Sequence, residues 1–142
     1  MTGIVAPIVA QLVAAKSETG ALAVEAVAGI AALNAQLATS PMQFVVPTGD
    51  TAGRLSSATM VTRQQGEERF DVVTGFLLAT LKGTPAILDQ VREKTRDALL
   101  GWKHPLTNEP VEYRGGRLLS YDFTKGTLWW QQSFAFTRII EG

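Results

Sequence analysis

The chain has no cysteine in its 142 residues, which excludes a disulfide framework, a thiolate nucleophile and a thiolate metal site. It has one histidine, His104, so imidazoles cannot cluster around a metal ion. Beside Pro105, His104 reads as a surface residue in a turn and not as a general base. Thirteen basic side chains balance thirteen acidic ones, and zero net charge removes the electrostatic footprint that a nucleic-acid partner needs. The mean hydropathy is +0.10. A neutral and mildly apolar chain has little charge to keep copies apart, which points to self-association.

Charge is scarcest in the first third, where Lys16, Glu18 and Glu25 are the only charged residues before Asp50. No basic stretch precedes the apolar run 4–13, so it does not read as a signal peptide. The other apolar stretch, 20–38, is interrupted by Glu25, Asn34 and Gln36 and does not read as a membrane span. The expectation is a soluble, unexported protein, one domain over residues 1–142, whose N-terminal helices are buried or packed against another subunit.

What the sequence does have is a long strand signal at 126–140, rich in β-branched and aromatic residues and free of proline and internal glycine. Alternation places Leu128, Trp130, Phe134 and Phe136 on one face, interrupted by Gln132. Trp129, Gln131, Ser133, Ala135 and Thr137 fall on the other. The first face is core; the second suits a half-covered surface or a subunit contact.

Earlier in the chain, Ile4, Val5, Ile8, Val9, Leu12 and Val13 recur at helical spacing, with Pro7 tolerable in a first turn and Gly20 as a stop. Residues 22–27 suit either a short strand, for Val24 and Val27, or the start of a second helix, for the alanines; a short strand is taken, followed by a helix over 29–38 ended by Thr39, Ser40 and Pro41. Phe44, Val45 and Val46, enclosed by Pro41 and Pro47, read as a strand of a few residues. Residues 48–59 have no hydrophobic period and read as a long mobile or binding loop. Residues 60–64 and 68–80 then read as strands joined by a turn at Gln65, Gly66 and Glu67.

Thr84 and Pro85 form a helix start, and Ile87, Leu88, Val91, Thr95, Ala98 and Leu99 make a buried stripe that Gly101 ends. The opposite face carries mixed charge, with Glu93 and Arg96 spaced to pair. Residues 111–123 read as a strand whose paired glycines, Gly115 and Gly116, mark a bulge or a close backbone approach, and Thr124, Lys125 and Gly126 turn into the last strand. The order predicts an α+β fold: an antiparallel sheet of about four to six strands, with two or three helices packed mainly on one side.

Signs of catalysis are missing. The segment 49–54 lacks the lysine and glycine spacing of a phosphate-binding loop, and no Gly-x-Gly-x-x-Gly occurs. Ser56, Ser57 and Ser120 lack a nucleophile-elbow setting. Glu67, Glu68 and Asp71 read as ordinary surface charges near Arg69. Tyr113, Arg114, Arg117, Trp129 and Trp130 could stack single-stranded nucleic acid, but no lysine stripe accompanies them. No catalytic residue, cofactor or metal is expected.

Taken in order, the segments 4–9, 41–47, 68–73, 98–102, 113–119 and 128–134 resemble the phage tail terminator proteins of the Mu-like group, across nearly the whole chain. The resemblance implies an α+β virion subunit forming a hexameric ring at the head-proximal, neck end of a long tail, assembled in the host cytoplasm. Such a ring stops polymerisation of the tail tube protein and offers the surface that the head completion or neck protein joins, with a sheath protein as a further partner if the tail contracts. It brings no catalytic residues, no cofactor, no membrane partner and no specific nucleic-acid binding. Asp50 and Arg54 in the polar stretch, Arg63 after it, and Arg114 and Arg117 around the glycine pair are the candidate partner contacts. The alternatives are another neck or head-closure protein, or a small ligand-binding domain or enzyme with a pocket between sheet and helix.

Overall fold

A computed structural model describes residues 3–27, 40–57, 62–78, 86–122 and 124–141. The elements in chain order are α1 (Val5–Ala14), α2 (Lys16–Thr19), β1 (Ala23–Ala26), β2 (Met42–Ser57), β3 (Thr62–Leu77), α3 (Ala86–Leu99), β4 (Glu112–Asp122) and β5 (Thr127–Glu141). The five strands form one sheet in the order β1-β2-β3-β5-β4. Its long pairs are antiparallel, whereas β1 lies parallel to β2, so the expected antiparallel sheet is a mixed one. The cause is the direction in which the chain re-enters the sheet at β2 after β1.

The alternation anticipated for the last strand sets the core. β5 pairs with β3 from Thr127 opposite Leu77 to Glu141 opposite Arg63 without a register shift, which places Phe134 directly across from Phe70. The two rings stack at 5.4 Å, with Phe136 tilted against Phe70 at 6.3 Å and Tyr113 against Phe134 at 5.3 Å. Ile8 and Leu12 from α1 and Leu99 from α3 close over this cluster. Each fully buried aromatic or aliphatic side chain there contributes about 1.5–3 kcal/mol. Farther along the same face Phe76, Val91, Leu128 and Trp130 continue the packing. The opposite face holds a second cluster of Met42, Phe44, Val46 and Val73, with Trp129 tilted on Phe44 at 5.8 Å.

Helix α1 carries Pro7 in its first turn, and Gly20 ends α2 in the left-handed conformation at φ 82°. The short strand read from 22–27 is β1. The helix expected at 29–38, the Thr84-Pro85 start and the first residues of the strand expected from Met60 lie outside the described residues. The stripe of α3 is buried at Val91, Thr95 and Leu99. Its ion pairs are Arg92 with Asp89 and Arg96 with Asp97, in place of Glu93 with Arg96. Gly101 has the positive φ expected of a residue just past a helix.

Three of the expectations that fail bear on the fold, each for a physical reason. Residues 48–57 are no loop, since β2 continues to Ser57; residues 48–52 are exposed beyond the core, so no hydrophobic period marks them, and the ladder with β3 holds the strand extended. The strand at Phe44 is correspondingly long, and Pro47 is accommodated at a bulge. Gln65, Gly66 and Glu67 form no turn, because β3 passes straight through them. Gly66 is there for proximity: a Cβ on it would lie 2.7 Å from the Thr51 carbonyl oxygen.

His104 is the third reversal. It is fully buried, stacked on Phe136 at 4.6 Å and edge-on to Trp102 at 5.5 Å. Its Nδ1 accepts the Leu106 N–H at 3.2 Å, so its Nε2 donates to the Ile4 carbonyl at 2.8 Å and ties the start of α1 to the loop after α3. Burial comes from residues remote in sequence, which the neighbouring proline could not signal.

Replacing Gly66 by alanine is expected to lower stability by about 1–3 kcal/mol, the cost of forcing a methyl group against fixed backbone. Gly3→Ala, where a Cβ meets nothing within 4 Å, is the control. Urea unfolding midpoints for the two variants check it, and equal midpoints would show that β3 does not press on Thr51.

Candidate functional site

Beyond Val46, Phe70 and Phe136 the apolar clusters stop, but three strands go on. β2 continues to Ser57, β3 is paired with it from Thr62, and β5 reaches Glu141. In this arm Thr48, Gly49, Asp50, Thr51, Ala52, Gln65, Arg69, Arg138 and Ile139 are exposed. Apart from Ala52 and Ile139 these are glycine, hydroxyl, amide and charged residues, which a sheet carries where water or a partner meets it.

Ion pairs brace the arm where it leaves the core. Arg138 donates to Glu68 at 2.7 Å, and Glu68 is 8% exposed. On the other side, Arg114 of β4 reaches Glu67 of β3 at 2.6 Å and Glu112 at 3.0 Å. The hydrogen bond to Glu67, then that to Glu112, raises the Arg114 pKa above its ordinary value. A relay lies beside it: Arg117 Nε donates to Gln131 Oε1 at 3.0 Å, and Gln131 Nε2 donates to the Asp71 carboxylate. Asp71 and Gln131 are both buried.

The glycine pair in β4 combines both expected roles. Gly115 sits at a register shift with φ 114°, and a Cβ on Gly116 would meet the Tyr113 hydroxyl at 2.9 Å and Trp130 Nε1 at 3.0 Å. The bulge sets Arg114 and Arg117 at the rim of a shallow depression floored by Gln131 and Ser133. A second depression, between α3 and the sheet, is lined by Asp89, Arg92, Glu93, Arg96, Tyr113 and Gln132, with the Arg92 guanidinium 4.2 Å from the Trp130 ring. Among the described residues no group of three or more histidine, aspartate or glutamate side chains is placed to hold a metal ion.

The candidate contacts thus fall into two groups. Asp50 lies opposite Glu68, Arg54 sits in the bulge between Ala52 and Leu55, and Arg63 is flanked by Ser56 and Glu141, all three on the arm. Arg114 and Arg117 share the β4 depression, and Arg114 is joined to the arm through Glu67. Glu68 and Asp71 are not the surface charges that the sequence suggested, and Arg138 and Gln131 were not singled out at all. The strand read over 68–80 already puts Glu68 on the face of Phe70 and Val72, and that alternation was the available signal for its burial.

The fold defines the class: an α+β subunit in which helices cover a mixed sheet and three strands run on past the core as a polar arm. The family is settled by comparison. The family described as phage tail terminator protein matches over residues 4–142, and this chain belongs to it. It is a structural protein of the virion tail, from a family that is not enzymatic. Among solved structures, a chain from the "Virion of native gene transfer agent (GTA) particle" has a similar fold, with a TM-score of 0.59 and 14% identity over 96% of this chain and 93% of that one. Comparison with curated proteins gives no match.

Removing Arg138 leaves the nearly buried Glu68 without its cation, and Arg138→Ala is expected to cost about 1–3 kcal/mol. Arg114→Ala, which removes a solvent-exposed pair, leaves stability almost unchanged. Chemical unfolding of both variants at low and high salt tests the contrast. An Arg114 variant more damaging than the Arg138 variant would reverse the assignment of which pair braces the arm.

Proposed function

We propose that this chain acts as a single-domain subunit, residues 1–142, of a hexameric ring that ends the tail at its head-proximal side. The ring caps the last layer of tail tube protein, stops its polymerisation in the host cytoplasm and presents the neck surface to a head completion protein, with the sheath as a neighbour in a contractile tail. The mechanism is geometric. Contacts between copies fix the subunit number, one ring face matches the tube, and the other resembles no tube surface.

The observation that carries this reading, beside family membership, is the three-stranded arm. It continues past the core with mostly polar residues exposed among those described, and its exposed carboxylate at Asp50 has no ion pair among those described. A surface of this chemistry binds through hydrogen bonds and matched charge, which give register and specificity more than raw affinity. Asp50, Arg54 and Arg63 on the arm, with Arg114 and Arg117 on β4, are its contact residues.

Reversing charge on the arm tests the proposal. The double substitution Arg54→Glu and Arg63→Glu is expected to weaken capping, producing overlong tails in virions and free tube growth in vitro while the melting temperature holds. Tails of normal length from that variant would remove the arm from the capping surface. Light scattering of the unmodified chain across a concentration series, with negative-stain images, reads the ring itself; a strict monomer that neither forms rings nor binds tubes would overturn it.

A further inference from the structure

Besides the short outer edge of β1 and the end of β5 beyond Ala135, two long strand edges remain unpaired among the described residues. β4 is the terminal strand of the sheet, and its outer backbone groups meet no other strand. β2 is flanked by β1 only from Met42 to Val45, which leaves its outer edge open over residues 46–57. Open edges of this length are templates for another strand. Lysine, a common guard of such edges, occurs on neither.

The two edges are matched in several ways. Each is interrupted by two register shifts, which bound a regular run of residues 49–52 on β2 and 115–118 on β4. Thr51, Ala52, Arg117 and Leu118 are exposed in these runs, Leu118 at 50% although it is a large apolar side chain. Within the sheet β2 and β4 run in opposite directions, since each step from β2 to β3, β5 and β4 is antiparallel. Rotating a copy about a ring axis therefore brings β4 of one beside β2 of the next as an antiparallel pair.

The edges are also staggered. Through β5, β4 lies level with residues 69–77 of β3, whereas the open part of β2 lies level with residues 62–71. Joining them shifts each copy along the strand direction relative to its neighbour. A sheet that closes on itself with tilted strands needs such a stagger at its junctions. We infer that the open β2 edge of one copy takes the β4 edge of the next, so that a continuous antiparallel sheet holds the ring together. The contact is heterologous, using two different surfaces of the same chain, and so can close into a ring. This inference rests on the ring proposed above.

The absence of cysteine makes a clean test possible. Thr51→Cys combined with Arg117→Cys, and Thr51→Cys combined with Leu118→Cys, probe the two faces of the junction by oxidation of the assembled protein. At least one double variant is expected to give a ladder of covalent multimers ending at the ring number, and each single variant no ladder. A covalent dimer from Leu118→Cys alone would mean that β4 pairs with another β4 and would overturn the inference. Rings that form without a ladder in either double variant would overturn it and leave the ring standing. A chain that forms no rings at all would overturn both. Hydrogen exchange on the unmodified protein supplies a readout free of substitutions: the outward amides in residues 49–52 and 115–118 should exchange more slowly in the ring than in the dilute subunit. Equal exchange in the two states would also overturn the inference.

Discussion

The β3–β5 ladder is the constraint on which the remaining structure depends. It is the one long pairing that runs from end to end without a register shift, and its register fixes which face every later side chain occupies. Phe70 meets Phe134, and the helices meet that stack, because the pairing is held to the residue; a slip by one would send Phe134 and Phe136 to the opposite face. The flanking strands carry the irregularities. β2 and β4 each contain two register shifts, so the sheet bends and twists at its margins while its centre stays regular.

This division explains how so neutral a chain can be extended over half its sheet and bury a full core over the rest. At the core end both faces of the sheet are apolar, with Val45, Val72 and Phe134 toward the helices and Phe44, Val46 and Val73 on the other side. At the arm end no apolar cluster supports the strands among the described residues, and backbone hydrogen bonds plus the Glu68–Arg138 pair do the bracing, with the exposed Glu67–Arg114 pair adding little. Net backbone hydrogen-bond stabilisation of about 1 kcal/mol each is enough to hold a strand already anchored at one end, though not to form it alone.

Legibility in the sequence followed burial. The last strand, the α3 stripe and the glycine-pair bulge were readable because each rests on a local period or a local backbone requirement, whereas the short β1 segment suited a strand and a helix alike. Residues 48–57 were not, since a strand outside the core has no hydrophobic period to announce it. Gly66 misled for a related reason: glycine marks both a turn and a strand pressed against its neighbour, and only the Thr51 carbonyl tells the two apart. His104 and Asp71 were read as exposed from their chain neighbours, while their surroundings come from Ile4 and Phe136, and from Gln131, far along the chain. The family resemblance was legible because it draws on the order of many weak segments, whereas the contacts that brace the arm each join two residues distant in sequence.

The composition of the arm bears on how an assembly subunit avoids assembling too early. An apolar edge would pair with any strand it met, and a strongly charged one would repel its own copies. The outer segments mix serine, threonine and glycine with a few charges and, on β4, the exposed Leu118, so they are neither wholly apolar nor strongly charged, and pairing depends largely on backbone geometry. The bulges narrow that geometry further, because a partner must match a short regular run between two kinks. For the ring proposed here, recognition by such edges favours a partner whose curvature is already correct, as a neighbouring copy or a finished tube layer would be, over a strand of arbitrary shape. Low intrinsic stickiness combined with exact registry is the property that lets a subunit wait at high concentration and close only where its neighbours fit.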